Sequence, residues 1–215
     1  MKQFIWTLFL GGAAAALLMG GSKALLIYFV GVLVAITVFR RPLVLALTRL
    51  ASMLGLTRGT IEQMPATIQL TRAAGPAEAA RPILTALADA RFVDAGFWDI
   101  AELPKIHVDL MVQPEEGLLA AVESASTIGA QVNLHTLYTS GQVVTFTNSE
   151  LPAPKVERPF VTRTRLPRSS PAVLLEQARA QRPKDRFLPV SASEAAAVYQ
   201  RLYAEEISFR KSQQV

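Results

Sequence analysis

Residues Lys105–Gln113, with the sequence KIHVDLMVQ, carry the clearest structural pattern in this chain. Apolar and polar side chains alternate strictly along them, and a period of two is typical of a β-strand that buries one face. The buried face is predicted to consist of Ile106, Val108, Leu110 and Val112. The sequence therefore predicts a strand, and with it a sheet, in the middle of the chain.

Three further strands are predicted to follow this one. Pro114–Gly117 and Ser140–Gly141 have the composition of tight turns, because proline presets φ and glycine accepts a positive φ. The segments beside these turns alternate in polarity or are rich in β-branched residues. They are Leu118–Ser126, Gln131–Thr139 and Gln142–Asn148. Four strands with short turns predict a roughly four-stranded antiparallel meander.

Helical patterns lie on both sides of the predicted strands. Pro76–Ala90 has apolar residues at helical spacing, and Pro171–Gln181 follows a serine, which is typical of a helix N-terminus. The capping-box sequence Ser191–Glu194 predicts a helix that continues to about Arg210. An antiparallel sheet needs a helix or a partner over its apolar face, so the sequence predicts an α+β domain with helices packed on the sheet.

The first forty residues have the composition of a membrane anchor. Two apolar runs, Phe4–Gly20 and Ala24–Phe39, flank a short polar break, and Lys23 is the only formally charged residue between positions 4 and 39. Each run is slightly shorter than the roughly 20 residues that cross about 30 Å of hydrocarbon. Three arrangements fit this pattern: a hairpin of two transmembrane helices, a cleaved signal peptide followed by one span, or one long tilted helix.

Basic residues directly after the second run orient the predicted anchor. Arg40, Arg41 and Arg49 follow it closely, and basic residues beside a span are retained on the cytoplasmic side. We therefore expect a bacterial inner-membrane protein whose C-terminal domain is cytoplasmic. Pro42–Leu56 repeats leucine at helical spacing, which predicts an amphipathic helix at the membrane interface. The alternatives are an extension of the second span and a helix packed on the domain.

Charge changes sign along the chain. Positions 60–150 carry four basic and eleven acidic residues, whereas positions 151–215 carry twelve basic and six acidic ones. The basic region is expected to contact anionic lipid, a protein partner or the chain's own acidic half, or to form a solvated arm. Its candidate contact residues are Arg163, Arg165, Arg168, Arg182, Lys184 and Arg186. Few aromatic residues are interleaved with these cations, so nucleic acid is disfavoured as a partner.

Candidate site residues are few. The chain contains no cysteine and only two histidines, His107 and His135. Asp109 shares a strand face with His107, so a metal or catalytic cluster of His107, Asp109 and His135 is conceivable, but ordinary histidines on a sheet face are the favoured interpretation. Paired Glu115 and Glu116 are interpreted as solvated turn residues. No cofactor and no metal are predicted.

These observations divide the chain into an anchor (1–41), an interfacial helix and connector (42–71), an α+β core (72–150) and a basic, proline-rich arm with C-terminal helices (151–215). The favoured function is a non-catalytic binding or accessory protein that presents its domain to a protein partner, or to a second copy, at the bilayer. One alternative is a small-ligand receptor or enzyme with a pocket between sheet and helices, using His107, Asp109, His135 or Tyr138. The other is a structural subunit of a larger membrane complex.

Overall fold

The computed structural model describes residues 63–125, 129–151 and 156–213. The predicted spans at about 4–20 and 24–39, the orienting Arg40, Arg41 and Arg49, and the predicted interfacial helix lie outside these residues. Within the described ranges, no helix combines the length and the hydropathy that crossing a membrane requires.

One seven-stranded sheet forms the centre of the fold. The strands lie in sequential order, and each pair is antiparallel except β6 and β7, which run parallel. They are β1 (Leu70–Arg72), β2 (Val93–Ile100), β3 (Ile106–Gln113), β4 (Leu118–Ala125), β5 (Gly129–Leu137), β6 (Val143–Thr147) and β7 (Val161–Arg165). The α+β class is confirmed, but the prediction of about four strands in a purely antiparallel meander is wrong.

The sequence pattern identified β3 to β6 and missed the strands on either side of them, for physical reasons. The pairing of β2 with β3 is irregular between Asp94 and Gly96, and this irregularity disrupts the alternation that marks a strand. β7 has arginines at the positions where a core strand would have apolar residues. It belongs to the sheet although it lies in the region predicted to be an arm.

In the part of the chain that the structure describes, three α-helices pack on the sheet: α1 (Arg81–Asp89), α2 (Pro171–Gln181) and α3 (Ala195–Ser212). A 3₁₀ turn at Glu78–Ala80 precedes α1, whose proline lies in the first turn, where its missing N–H costs no hydrogen bond. The predicted bounds of α2 are confirmed, and the Ser170 hydroxyl caps this helix by accepting a hydrogen bond from the Val173 N–H at 3.4 Å.

Both faces of the sheet are covered. We call the side under α1 and α2 face A and the side under α3 face B. All five residues of Leu118–Val122 in β4 are at most 1% exposed, because alternate side chains enter the core on face A and the core on face B. The domain therefore has three layers, whereas the sequence pattern indicated only one apolar face for each strand.

Helix α3 is held over face B by the chain segment that leads into β1. The Gln200 amide donates to the Ile68 carbonyl oxygen at 2.8 Å, and the Lys211 ammonium donates to the Met64 carbonyl oxygen at 2.7 Å. These contacts join two regions more than 130 residues apart in the sequence. They hold α3 in place over face B, where the helix forms one wall of a cleft.

Candidate functional site: a polar cleft between α3 and the sheet

A cleft of about 350 Å³ lies between α3 and face B of strands β5 to β7. Its volume is within the range of small-molecule sites, and a helix and a sheet enclose it from opposite sides. A larger depression of about 560 Å³ lies between α1 and α2, but alanine and leucine form much of its lining. The cleft under α3 is therefore the place where polar groups converge.

Two rows of polar side chains form the floor of this cleft. In one row Asn133, Thr147 and Arg165 lie side by side on adjacent strands. In the other row His135, Thr145 and Arg163 do the same. Paired residues on neighbouring strands have Cβ atoms about 5 Å apart, so each row presents hydrogen-bonding groups across three strands.

His135 is a neutral member of the second row. Its Nδ1 lies 3.0 Å from the Thr145 hydroxyl oxygen, which makes a hydrogen bond between the two side chains. The pKa of His135 is lowered to about 4, mainly by burial and also by the positive charge of Arg163, while Glu206 opposes the shift. At neutral pH the imidazole therefore offers the cleft a hydrogen bond and no charge.

Arg163 lies between two carboxylates. Its guanidinium is 3.3 Å from the Glu157 carboxylate and 3.4 Å from the Glu206 carboxylate, and its side chain is only 16% exposed. Arg210 contacts Glu206 more closely, at 2.6 Å from both Nε and Nη2. Burial alone would raise the pKa of Glu206, but Arg210 and Arg163 hold it below its usual value.

The remaining charged groups of the cleft are held at its ends. Arg165 donates to the carbonyl oxygens of Ser149 and Leu151, which fixes its guanidinium against the backbone. At the opposite end both oxygens of Glu123 accept hydrogen bonds at 2.9 Å, one from the Gln131 amide and one from the Tyr199 hydroxyl. Arg165 and Glu123 are therefore both held in place by partners within the domain.

The cluster of His107, Asp109 and His135 that the sequence left conceivable does not form. His107 and Asp109 lie on face A, whereas His135 pairs with Leu119 and lies on face B. The sheet stands between them, which the disfavoured alternative did not foresee. The described ranges also contain no group of three or more histidine and carboxylate side chains that could hold a metal ion.

His107 and Asp109 instead belong to a hydrogen-bonded group beneath α1. His107 Nδ1 lies 2.9 Å from the Asp99 carboxylate, and His107 Nε2 lies 2.9 Å from the Asp109 carboxylate. Asp109 is fully buried, and this burial raises its pKa despite the opposing effect of His107. Tyr138 also lies in the core of face A, 1% exposed, so it does not reach the cleft.

The basic residues from the C-terminal region occupy several different places. Arg163 and Arg165 line the cleft. Arg168 pairs with Glu150 at 3.1 Å, and Arg182 donates to the Glu116 carbonyl oxygen at 2.8 Å. Lys184 and Arg186 are exposed. Four of the six candidates thus contact other parts of the chain. Because the Arg168 side chain is nevertheless 74% exposed, Arg168, Lys184 and Arg186 are the candidates open to lipid or a partner.

Glu116 is not a solvated turn residue. Its two carboxylate oxygens accept hydrogen bonds from the Arg179 guanidinium at 2.8 and 2.6 Å, a bidentate pair that lowers the pKa of Glu116. The interpretation of Glu116 as a solvated residue is therefore wrong. The pair ties the turn between β3 and β4 to α2.

Sequence reasoning missed most of the cleft residues. Asn133, Thr145 and Thr147 come from correctly predicted strands, but none of them was named as a candidate site residue. The available signal was the repetition of hydrogen-bonding residues at every second position of β5, in Gln131, Asn133 and His135. Comparison with protein families, curated proteins and solved structures found no significant match.

Proposed function

We propose that this chain is a membrane-anchored, non-catalytic protein that binds a small polar ligand in the cleft between α3 and strands β5 to β7. The observation that carries the proposal is the convergence of the two polar rows on the floor of one enclosed cleft. Hydrogen-bonding groups are fixed by sheet register before a ligand arrives, so little conformational entropy is lost on binding.

The anchoring part of the proposal rests on the two apolar runs before position 40. With arginines immediately behind them, the domain is proposed to lie on the cytoplasmic side of a bacterial inner membrane. Sedimentation of the full-length chain with membranes, together with a reporter that is active only in the cytoplasm and fused after Val215, tests this part. Recovery in the soluble fraction would contradict it.

Thermal unfolding of the full-length protein in detergent micelles tests the binding part. The melting temperature is measured with each of a panel of small polar compounds: sugars, amino acids, nucleosides, organic acids and phosphate esters. We expect at least one class to raise the melting temperature, and we expect the Asn133→Leu substitution to abolish that increase because it removes a polar group from the floor. A panel without any effect would contradict ligand binding.

Presentation to a protein partner is the second proposal, and exposed apolar side chains favour it. Phe160 is 76% exposed and Val156 is 53% exposed, both just before β7. Phe160 has a positive φ of 61°, so Phe160→Asn removes the apolar ring while keeping a residue that accepts this backbone conformation. We expect this variant to lose cross-links that the wild-type chain forms in membranes. Identical cross-linking patterns would contradict the proposal.

A further inference from the structure

We propose that the ligand carries a carboxylate or phosphate group that binds Arg163, and that the Glu157 carboxylate occupies this anion position until the ligand displaces it. This inference rests on the proposed function, since it names the chemical class that the same cleft takes up. According to this inference, Glu157 of the same chain competes with the ligand for Arg163.

The distances around Arg163 show that its present ion pairs are loose. Charge-assisted hydrogen bonds between a guanidinium and a carboxylate are typically 2.7–2.9 Å long. Arg163 lies 3.3 and 3.4 Å from its two carboxylate partners, whereas Arg179 reaches Glu116 at 2.6 and 2.8 Å in the same domain. Arg163 is therefore the better placed of the two arginines to gain from a new acceptor.

The groups around Arg163 are arranged to receive an anion. Sheet register places the Thr145 hydroxyl and the His135 imidazole in the same row. A hydroxyl and a neutral imidazole have one proton each to donate. Because one of these two protons forms the hydrogen bond between His135 and Thr145, the row supplies one fixed positive charge and one free neutral donor.

Of the two carboxylates near Arg163, Glu157 is the one that can leave. Glu206 is held by Arg210 at 2.6 Å, so its charge is already satisfied. Glu157 comes from the connection between β6 and β7, its side chain is 35% exposed, and its contacts with Arg163 are 3.3 and 3.4 Å long. A partly exposed carboxylate with such long contacts loses little free energy when it moves into solvent.

The charges lining the cleft support the exchange. Arg158, Arg163, Arg165 and Arg210 line the cleft together with Glu123 and Glu206. Glu157 reaches this set only through its contact with Arg163, so an anionic group of a ligand that takes its place at Arg163 keeps one negative charge beside that guanidinium. A ligand with a single anionic head and a polar body is therefore the class that fits.

Isothermal titration of the full-length protein in detergent micelles tests the inference. The soluble probes are glycerol 3-phosphate and glycerate, each with a single anionic head, and glycerol is the neutral probe. A parallel arm compares the chain in nanodiscs of phosphatidylglycerol and of phosphatidylcholine, because an anionic lipid headgroup offers the same chemistry. We expect Glu157→Gln to strengthen anion binding about tenfold and Arg163→Gln to weaken it at least tenfold. The control, Glu176→Gln, removes an exposed carboxylate of α2 and should leave the affinity for anions unchanged.

The outcomes separate the two proposals. If Glu157→Gln strengthens anion binding, the inference is supported. The ligand is then a soluble anion if the soluble probes bind, and a lipid headgroup if only phosphatidylglycerol binds. Binding of glycerol alone, or anion binding that Glu157→Gln leaves unchanged, overturns the inference while ligand binding stands. No binding by any probe or panel compound overturns both. Arg163→Lys, which keeps the charge and should bind with intermediate affinity, replaces Arg163→Gln if that variant fails to fold.

Discussion

His135 links the cleft to pH. The folded state holds the pKa of this imidazole at about 4, whereas an unfolded chain would titrate near its ordinary value of 6.5. The unfolded state therefore binds a proton at a higher pH than the folded state does. Stability is fully present above about 6.5 and is lost as the pH falls towards about 4.

We expect the free energy of unfolding to fall by about 2–3 kcal/mol between pH 6.5 and pH 4 because of His135 alone. Carboxylates with lowered pKa values, such as Glu206, add to this loss at the acidic end. The His135→Gln variant isolates the contribution, because it keeps a polar side chain that does not titrate. Urea unfolding gives the free energy of unfolding at each pH. This free energy should fall less steeply with decreasing pH in the variant than in the wild type, and an equal fall in both would contradict the role of His135.

Asp109 provides the clearest residue-scale test of the core on face A. Both nitrogens of His107 face carboxylate oxygens, and a neutral imidazole has only one N–H to donate. It can therefore donate a hydrogen bond to only one of the two carboxylates. Burial raises the pKa of Asp109, although His107 opposes this effect.

We expect Asp109→Ala to destabilise the fold by about 3 kcal/mol, because it opens a cavity and leaves a polar nitrogen of His107 unpaired. Asp109→Asn keeps the shape and should cost about 1–2 kcal/mol. Asp99 is the matched control, since its side chain is 59% exposed and Asp99→Asn should cost less than about 1 kcal/mol. Chemical unfolding measures all three. A cost for Asp99→Asn as large as that for Asp109→Ala would contradict this assignment.

At the scale of elements, the turn between β3 and β4 depends on one glycine. Gly117 has a φ of +62°, and a Cβ built there would lie 2.2 Å from Cδ2 of Phe187. The ring of Phe187 packs against the core of face A. The turn therefore needs a residue that accepts a left-handed backbone and leaves room for the aromatic ring.

We expect Gly117→Ala to destabilise the domain by about 3 kcal/mol, the sum of backbone strain and overpacking. Gly141→Ala is the matched control, because Gly141 also has a positive φ, +82°, but has open space around its Cβ position. That variant should cost only about 1 kcal/mol. Thermal unfolding of both variants separates strain from steric overlap, and equal losses would contradict the packing argument.

Element by element, prediction from sequence succeeded where one local pattern dominated. β3 alternates regularly and α2 begins with a serine cap, so each could be located to within a residue or two. β7 could not, because its arginines are stabilised by partners that come from other parts of the fold. The face on which His135 lies depends on the register between β4 and β5, and a slip of one residue would have moved it to the other face.

For the molecule as a whole, the sequence indicated the class of fold but not its site. Local patterns predict strands and helices, and an α+β domain follows from them. The cleft needs α3 to cross β5 to β7, which results from contacts between Gln200 and Ile68 and between Lys211 and Met64. Contacts over such sequence distances leave no periodic signal in a single chain, so the site was visible only in three dimensions.

The chain has no cysteine, so a single introduced thiol reports directly on occupation of the cleft. The most direct test is the rate at which iodoacetamide alkylates Leu202→Cys, which lines the cleft from α3 outside the two polar rows. The rate is measured with and without saturating anionic ligand, and Ser140→Cys in the exposed turn is the control. A ligand in the cleft should slow alkylation at position 202 at least tenfold and leave position 140 unchanged. Equal rates at position 202 with and without ligand would contradict the claim that the cleft is the binding site.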